Sequence, residues 1–401
     1  MRYALGLLLV VATTATAGEN PAAPGESLVD SVDAAYGSKI RQIKYAGGQE
    51  HNFYYYRNPW NADGSRMLTI QSDLDGRNWR VILRDGDGRF EKQLFTTAQF
   101  DWRLAWDRNN PDVLYTWRAS DLYKYNVATA KADILKSFAP LGLKPNGPSL
   151  NQAGDRVLVI TSDGVFHSYR LSDMQDERTF KSTVPPGCEI GWDKPHYTGY
   201  RNYIDTAYRL RDLLRQAIVI YDDTGAVVHT FDNIGGGGHY DFSPDGKLAY
   251  FKMPQSARQG GERPLEIHVV SLDGTGDKVL YSVPQSQARY VQNLHLSWPD
   301  KVGDWFVASL FPAAGNLPPA YAPPLDEIIQ VRTDGTWRYL ARTGTAYSNP
   351  GARGAAGVMF WAQPLARPGS DGRRIAFNSN RSGTINEYIL YVPQTSGGEG
   401  K

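Results

Sequence analysis

One type of hairpin recurs seven times along the chain. Three residues before the last large residue of its first strand stand Arg57, Arg103, Gly147, Glu189, His239, His295 and Gln363. Two imidazoles, an amide and a carboxylate converging from separate strands supply the donors of a divalent cation (calcium, manganese or zinc), with His239, His295, Gln363 and Glu189 as ligands. The guanidinium forks of Arg57 and Arg103 suit a carboxylate. An imidazole or phenol working near neutrality can remove an acidic C–H proton, and His51, His239 and Tyr200 are the candidates for that base. The same ring also reads as structure: Glu189 pairs with Arg57 or Arg103 in a water-filled channel, and His239 is satisfied by a neighbour, because buried polar groups generally find partners.

The stretch GGGGHYDFSPDGKLAYF, from Gly235, shows what positions these groups. Alternating residues around a Ser-Pro-Asp-Gly turn predict two short antiparallel strands, with Phe242 as the large residue before the turn. The same pattern is anchored at Trp60 in YRNPWNADGSRMLTI, Trp106 in WRLAWDRNNPDVLYTW, Leu150 in GPSLNQAGDRVLVI and Trp192 in CEIGWDKPHYTGY. Trp298 in NLHLSWPDKVGDWFVAS and Ala366 in AQPLARPGSDGRRIAF complete the set. Most units continue with two more strand-like runs. Four strands in each of seven units predict an all-β fold, a seven-bladed β-propeller. The anchors then form plates between blades, and mostly small residues (Pro59, Ala105, Ser149, Gly191, Asp241, Ser297, Leu365) precede them. Side chains two apart on a strand share a face, so the polar set forms a ring around the axis. The glycines before His239 let its loop approach that axis.

The seventh unit ends after NEYILYV without a fourth strand, and KIRQIKY, residues 39 to 45, stands before the first unit. The N-terminal strand is therefore expected to complete the last blade and close the ring. Residues 1–17 read as a signal peptide, from Arg2, an apolar run and the small Ala15 and Ala17, so the mature chain is expected to be secreted or periplasmic. Residues 18–38 form a leader, expected to be partly helical, 39–393 the propeller and 394–401 a disordered tail. Cys188 is the single cysteine and excludes an intrachain disulfide. Lys and Arg number 43 against 42 Asp and Glu, which points away from nucleic acid and anionic membrane surfaces. No run approaches the ~20 apolar residues of a membrane span. A monomer is expected.

Long segments at 253–264, 311–327 and 342–361 follow the units that carry His239, His295 and Gln363. Long loops in compact domains tend to be functional. They bring Tyr321, Tyr347, Arg353 and Trp361 to the rim, where with Arg201 they would stack on sugar rings and bind acidic groups. No GxSxG elbow, Walker loop, HExxH helix or CxxC pair occurs. A paired-carboxylate glycosidase remains open through Glu189, Asp241 and Asp101.

The NADG, SPDG and GSDG hairpins resemble those of TolB-like propellers over nearly the whole mature chain. Together with export, seven blades and a funnel lined by His, Gln and Arg, they resemble the propeller-type polysaccharide lyases that act on oligogalacturonate, ulvan and rhamnose-glucuronate polymers. That resemblance implies a channel metal held by His and Gln, matched here by His239, His295 and Gln363, though this chain lacks a close His-x-His pair. It also implies a secreted lyase that cleaves a uronic-acid-containing poly- or oligosaccharide by β-elimination. The alternative is a non-enzymatic propeller that binds a glycan or protein partner in the cell envelope.

Overall fold

The structure, a computed structural model, describes residues 25–96, 104–141, 148–160, 165–175, 177–183, 188–190, 196–210, 215–235, 239–252, 265–288, 290–312, 323–345 and 360–394. Seven antiparallel sheets follow one another, running from inner to outer strand over 49–96, 104–137, 149–181, 188–235, 241–283, 291–342 and, in the seventh blade, 367–391. The chain is an all-β, seven-bladed propeller. Middle strands such as Lys247–Lys252 bury side chains of both pleat faces, because each blade is sandwiched between two others. Outer strands such as Lys131–Ser137 are mostly exposed and carry the charge. No described helix is long and apolar enough to cross a membrane.

The anchors Trp60, Trp106, Leu150, Phe242, Trp298 and Ala366 are all buried. In the Ser-Pro-Asp-Gly turn, Gly246 takes φ 87°, a left-handed conformation that costs glycine nothing. Two registers differ from the sequence expectation. In the fourth blade the residue before the turn is Tyr197, paired with Ile204, five positions beyond Trp192. In the seventh it is Pro368, paired with Ile375 and followed by the turn bond from Gly369 N to Arg374 O.

The ring closes as the sequence pattern requires. Lys39–Tyr45 pairs antiparallel with Asn386–Tyr391, from Ile40↔Leu390 to Ile43↔Glu387. The leader, expected to be partly helical, instead contributes the strand Glu26–Val32, which pairs along the whole of Lys39–Tyr45 and makes the seventh blade five-stranded. The cause is local. Asp33 Oδ1 accepts from Ala35 N and Tyr36 N, both at 2.9 Å, and Gly37 takes φ 73°, folding the chain back as a hairpin. The new strand then satisfies backbone groups of what would otherwise be an open edge.

That strand is also pinned to the first blade. Glu26 receives Arg84 Nη1 and Nη2, both at 3.0 Å, while Glu50 receives Arg84 Nε at 2.6 Å and Nη2 at 2.8 Å. Arg84 is 1% and Glu50 0% exposed.

Candidate functional site

In the first blade the innermost strand is interrupted. Gln49–His51 pairs with Ile70–Ser72 and Trp60 bridges to Met67, so residues 52–59 stand opposite only Leu68 and Thr69. The surplus chain, NFYYYRNP, keeps a single backbone bond to the neighbouring strand, Leu68 N to Pro59 O at 2.9 Å, and turns toward His239 and His295. Asn52 fixes its entry: its N–H donates to Asn378 Oδ1 at 3.0 Å, its Nδ2 donates to Leu365 O at 3.1 Å, and its Oδ1 accepts from Tyr54 N at 3.1 Å. Tyr54 takes φ 111°, a conformation that non-glycine residues rarely hold without surrounding constraint and that clusters at functional sites. The constraint is visible on the far side, where Tyr55 O accepts from Ser297 Oγ of the sixth blade at 2.7 Å.

This segment meets the histidines. Tyr54 Oη lies 3.1 Å from His239 Nε2. The rings of His239 and His295 are 4.2 Å apart between centroids, and Tyr55 lies 4.8 Å from His295. Phe311 stacks on His295 at 5.2 Å and Phe360 on Tyr54 at 5.6 Å. His239 is half-buried while His295 is 0% exposed, so His239 is the more accessible of the two, with its Nδ1 atom buried and its Nε2 held by Tyr54. Burial holds the Tyr54 proton well above the usual phenol range, so its hydroxyl stays neutral and serves as a hydrogen-bonding group.

As a cation site this constellation is incomplete. The two imidazoles are adjacent, but the described residues bring no group of three His, Cys, Asp or Glu together, and Tyr54 occupies His239 Nε2. Gln363 is half-buried in the turn after Trp361, and Glu189 sits on the strand Cys188–Ile190 with its side chain outside the described part.

The other sequence candidates scatter. His51 is 0% exposed, stacked on Trp361 at 4.0 Å with Trp79 edge-on at 5.3 Å, and its Nδ1 donates to Asn52 O at 2.7 Å. Burial, partly opposed by that carbonyl bond, pushes its pKa down to about 3. It is a neutral wall residue rather than a funnel base. Trp361, expected at the rim, is buried against it. Tyr200 and Arg201 lie in the first hairpin turn of the fourth blade, away from the histidines, with Arg201 stacked over Tyr200 at 5.0 Å and its N–H on Gln152 Oε1. Arg57 points the same way, its Nη1 donating to Pro148 O at 2.8 Å. Arg103, Tyr321, Tyr347 and Arg353 fall outside the described residues.

Sequence reasoning missed Tyr54, whose only signal was three consecutive tyrosines before an inner strand. It also missed an axial ion pair. The register shift in the seventh blade puts Arg367, in place of Leu365, one residue before the turn-side anchor and level with Asp241 and Ser297. Arg367 Nη1 donates to Asp241 Oδ2 and Ser297 Oγ, both at 3.0 Å, and its Nη2 to Asp300 Oδ1 at 2.5 Å. Burial, against the pull of Arg367, raises the Asp241 carboxyl to about 6. Burial likewise raises Asp326, on the sixth blade, to about 6.

A carboxyl whose folded pKa lies above its unfolded value binds protons more tightly when folded, so its contribution is present at low pH and lost as pH rises through 6. Between pH 7.5 and pH 5 each of the two carboxyls is therefore expected to add ~1 kcal/mol of stability in urea unfolding, set against a loss of ~2 kcal/mol from buried His51, which refuses the proton that the unfolded chain takes up. Asp241→Asn should remove its share of that difference. An Asp241→Asn variant whose change between pH 7.5 and pH 5 equals that of the parent chain would contradict the assignment.

No family model matches the chain, and no curated protein matches it by sequence. Solved structures do. An oligogalacturonate lyase in complex with manganese aligns over 92% of this chain and 97% of its own, with a TM-score of 0.67 and 15% identity. An oligogalacturonate lyase from Vibrio parahaemolyticus aligns over 92% of this chain and 98% of its own, with a TM-score of 0.65 and 14% identity. A chain of a mitotic checkpoint complex covers 96% of this chain and 100% of its own at a TM-score of 0.50 and 13% identity. At these identities the likeness establishes architecture: the chain is a seven-bladed β-propeller, similar in fold to the oligogalacturonate lyases.

Proposed function

We propose that this chain is an exported lyase that cleaves a uronic-acid-containing glycan by β-elimination at His239. The observation that carries this reading is the hydrogen bond between half-buried His239 and buried Tyr54, in a propeller whose structural neighbours include two oligogalacturonate lyases. With Nε2–H of neutral His239 donating to Tyr54 Oη, the tautomer is fixed and Nδ1, a buried atom, is the base that a bound substrate has to reach. Nδ1 removes the proton from the carbon beside the uronate carboxylate. The C–H electron pair becomes the new carbon–carbon double bond, and the bond to the glycosidic oxygen breaks with its pair on that oxygen. The imidazolium then returns the proton to the leaving oxygen, so one residue serves as base and acid. Tyr54 is a positioning residue.

Developing charge on the substrate carboxylate has to be neutralised; of the two sequence candidates, Arg57 is held by Pro148 O in the turn-side cavity, which leaves Arg103, a residue outside the described part, for this role. A divalent cation, when bound, would supply the same positive charge. Among the described residues only His239 and His295 stand together to hold it, fewer donors than such an ion needs.

The test is incubation of the purified chain with a panel of acidic polysaccharides, reading the ultraviolet absorbance of the unsaturated uronate product. A rise on a uronate polymer supports the lyase. No product on any of them, with saturable binding of a glycan or envelope protein, selects the binding propeller instead.

A further inference from the structure

We propose that the opposite mouth of the channel is a second binding site, for a small anion of the carboxylate or phosphate class. A cavity of about 410 Å³ opens there, lined by residues of the first hairpins, among them Asn61, Asn109, Gln152, Pro244, Lys301 and Ser370. Its volume falls within the ~300–1,000 Å³ of small-molecule sites. Tyr56 forms part of its wall, and Tyr54, two residues earlier, touches His239, so one tyrosine segment separates this cavity from the histidine pair.

The charges in the wall decide the ligand class. Arg57, Arg108, Arg367 and Lys301 line it, against Asp107 and Asp300. Both acids are already engaged. Asp107 accepts from Asn109 N and Asn110 N at 2.8 Å and from Tyr115 Oη at 2.7 Å. Asp300 accepts from Arg367 at 2.5 Å, Asn58 at 2.7 Å and Ser370 at 2.9 Å. The cations other than Arg367 are held by backbone carbonyls: Arg57 by Pro148 O at 2.8 Å, Arg108 by Leu150 O at 3.4 Å and Lys301 by Ala62 O at 3.1 Å. Among the described residues Arg108 and Lys301 have no carboxylate within 4.0 Å, and the buried Nε of Arg108 has no hydrogen-bond partner.

Positive charge gathered in a concave wall focuses its field on the cavity and attracts a counter-ion. Guanidinium groups supply the planar fork that carboxylate and phosphate oxygens fit. The same charge disfavours a metal cation, and the wall at Tyr56 limits the ligand to small-molecule size.

Isothermal titration of the full chain with galacturonate, inorganic phosphate and neutral glucose tests this site. Galacturonate or phosphate is expected to bind at one site per chain, more weakly in high salt, while glucose gives no heat. The anion that binds more tightly identifies the source. Arg108→Gln should weaken that binding roughly tenfold or more, and His239→Ala should leave it unchanged. Lys301→Gln, which touches only one carbonyl, takes the place of Arg108→Gln if that variant fails to fold. Absence of heat with both anions, full affinity in the Arg108 and Lys301 variants, or loss of binding in His239→Ala overturns the proposal. Because the readout is binding at the turn-side mouth, it stands or falls separately from lyase activity.

Discussion

His239→Ala is expected to lower kcat on the best uronate polymer by roughly 10²–10⁴-fold, the range for removal of a general base, while thermal unfolding stays close to that of the parent chain. The fold should tolerate the change because His239 is half-buried and its neighbours Tyr55, His295 and Phe311 pack against one another without it. Tyr54→Phe keeps the ring packed on Phe360 and removes only the hydroxyl. If that hydroxyl sets the tautomer of His239, the variant should lose roughly tenfold or more in kcat, keep its KM, and shift the acid limb of its pH–rate profile. A purely structural tyrosine would leave the profile in place. His229→Ala, on an outer strand of the fourth blade, is the control for loss of an imidazole. Full activity in His239→Ala would remove the proposed base and leave the binding propeller as the better account.

The histidine pair was legible in the sequence because both blades keep the expected register. Phe242 and Trp298 each sit where the turn pattern puts them, so residues three before each share a level and their rings meet. The closing strand was legible because KIRQIKY stands ahead of the first unit and the last unit visibly lacks a fourth strand. Registers failed where the inner strand carries surplus residues. In the fourth blade the turn stands five positions beyond the expected Trp192, and in the first six residues are inserted before Trp60, so the offset that works for His239 misplaces Arg57 and leaves Glu189 unanchored.

A sequence pattern read from the turn outward cannot register such insertions, since extra residues that leave the ladder look like a continued strand. The tyrosine segment is the plainest case. FYYY has strand propensity, yet Asn52 and the positive φ of Tyr54 turn it toward His239 and His295. The strand Glu26–Val32 was missed for the opposite reason: only Leu28, Val29 and Val32 of its seven residues are apolar, and its pairing depends on a partner strand rather than on a buried face.

The second large effect concerns closure of the ring. Arg84→Met is expected to cost ~3–5 kcal/mol in urea unfolding, because it strands the carboxylates of Glu50 and Glu26 at a seam where water cannot solvate them. Glu387 deepens the effect: it is 0% exposed, and burial reinforced by the charge of Glu50 already pushes its carboxyl well up, so this seam tolerates no further negative charge. The comparison is Arg41→Met, on the closing strand of the seventh blade. Arg41 pairs with Asp30 at 2.7 Å, but Asp30 is 46% exposed, and an ion pair of that kind contributes ~0–1 kcal/mol. The two variants should also differ in pH dependence. Without Arg84 the stranded carboxyls have folded pKa values above their unfolded ones, so the loss is largest at neutral pH and shrinks as pH falls and they take up protons. Arg41→Met should show no such recovery above about pH 4, since Asp30, which Arg41 holds below the ordinary carboxylate range, stays ionised there with or without its partner. Equal, small losses in the two variants would mean that the seam between the first and seventh blades is held by strand pairing and apolar packing, with the buried ion pairs contributing nothing net to closing the ring.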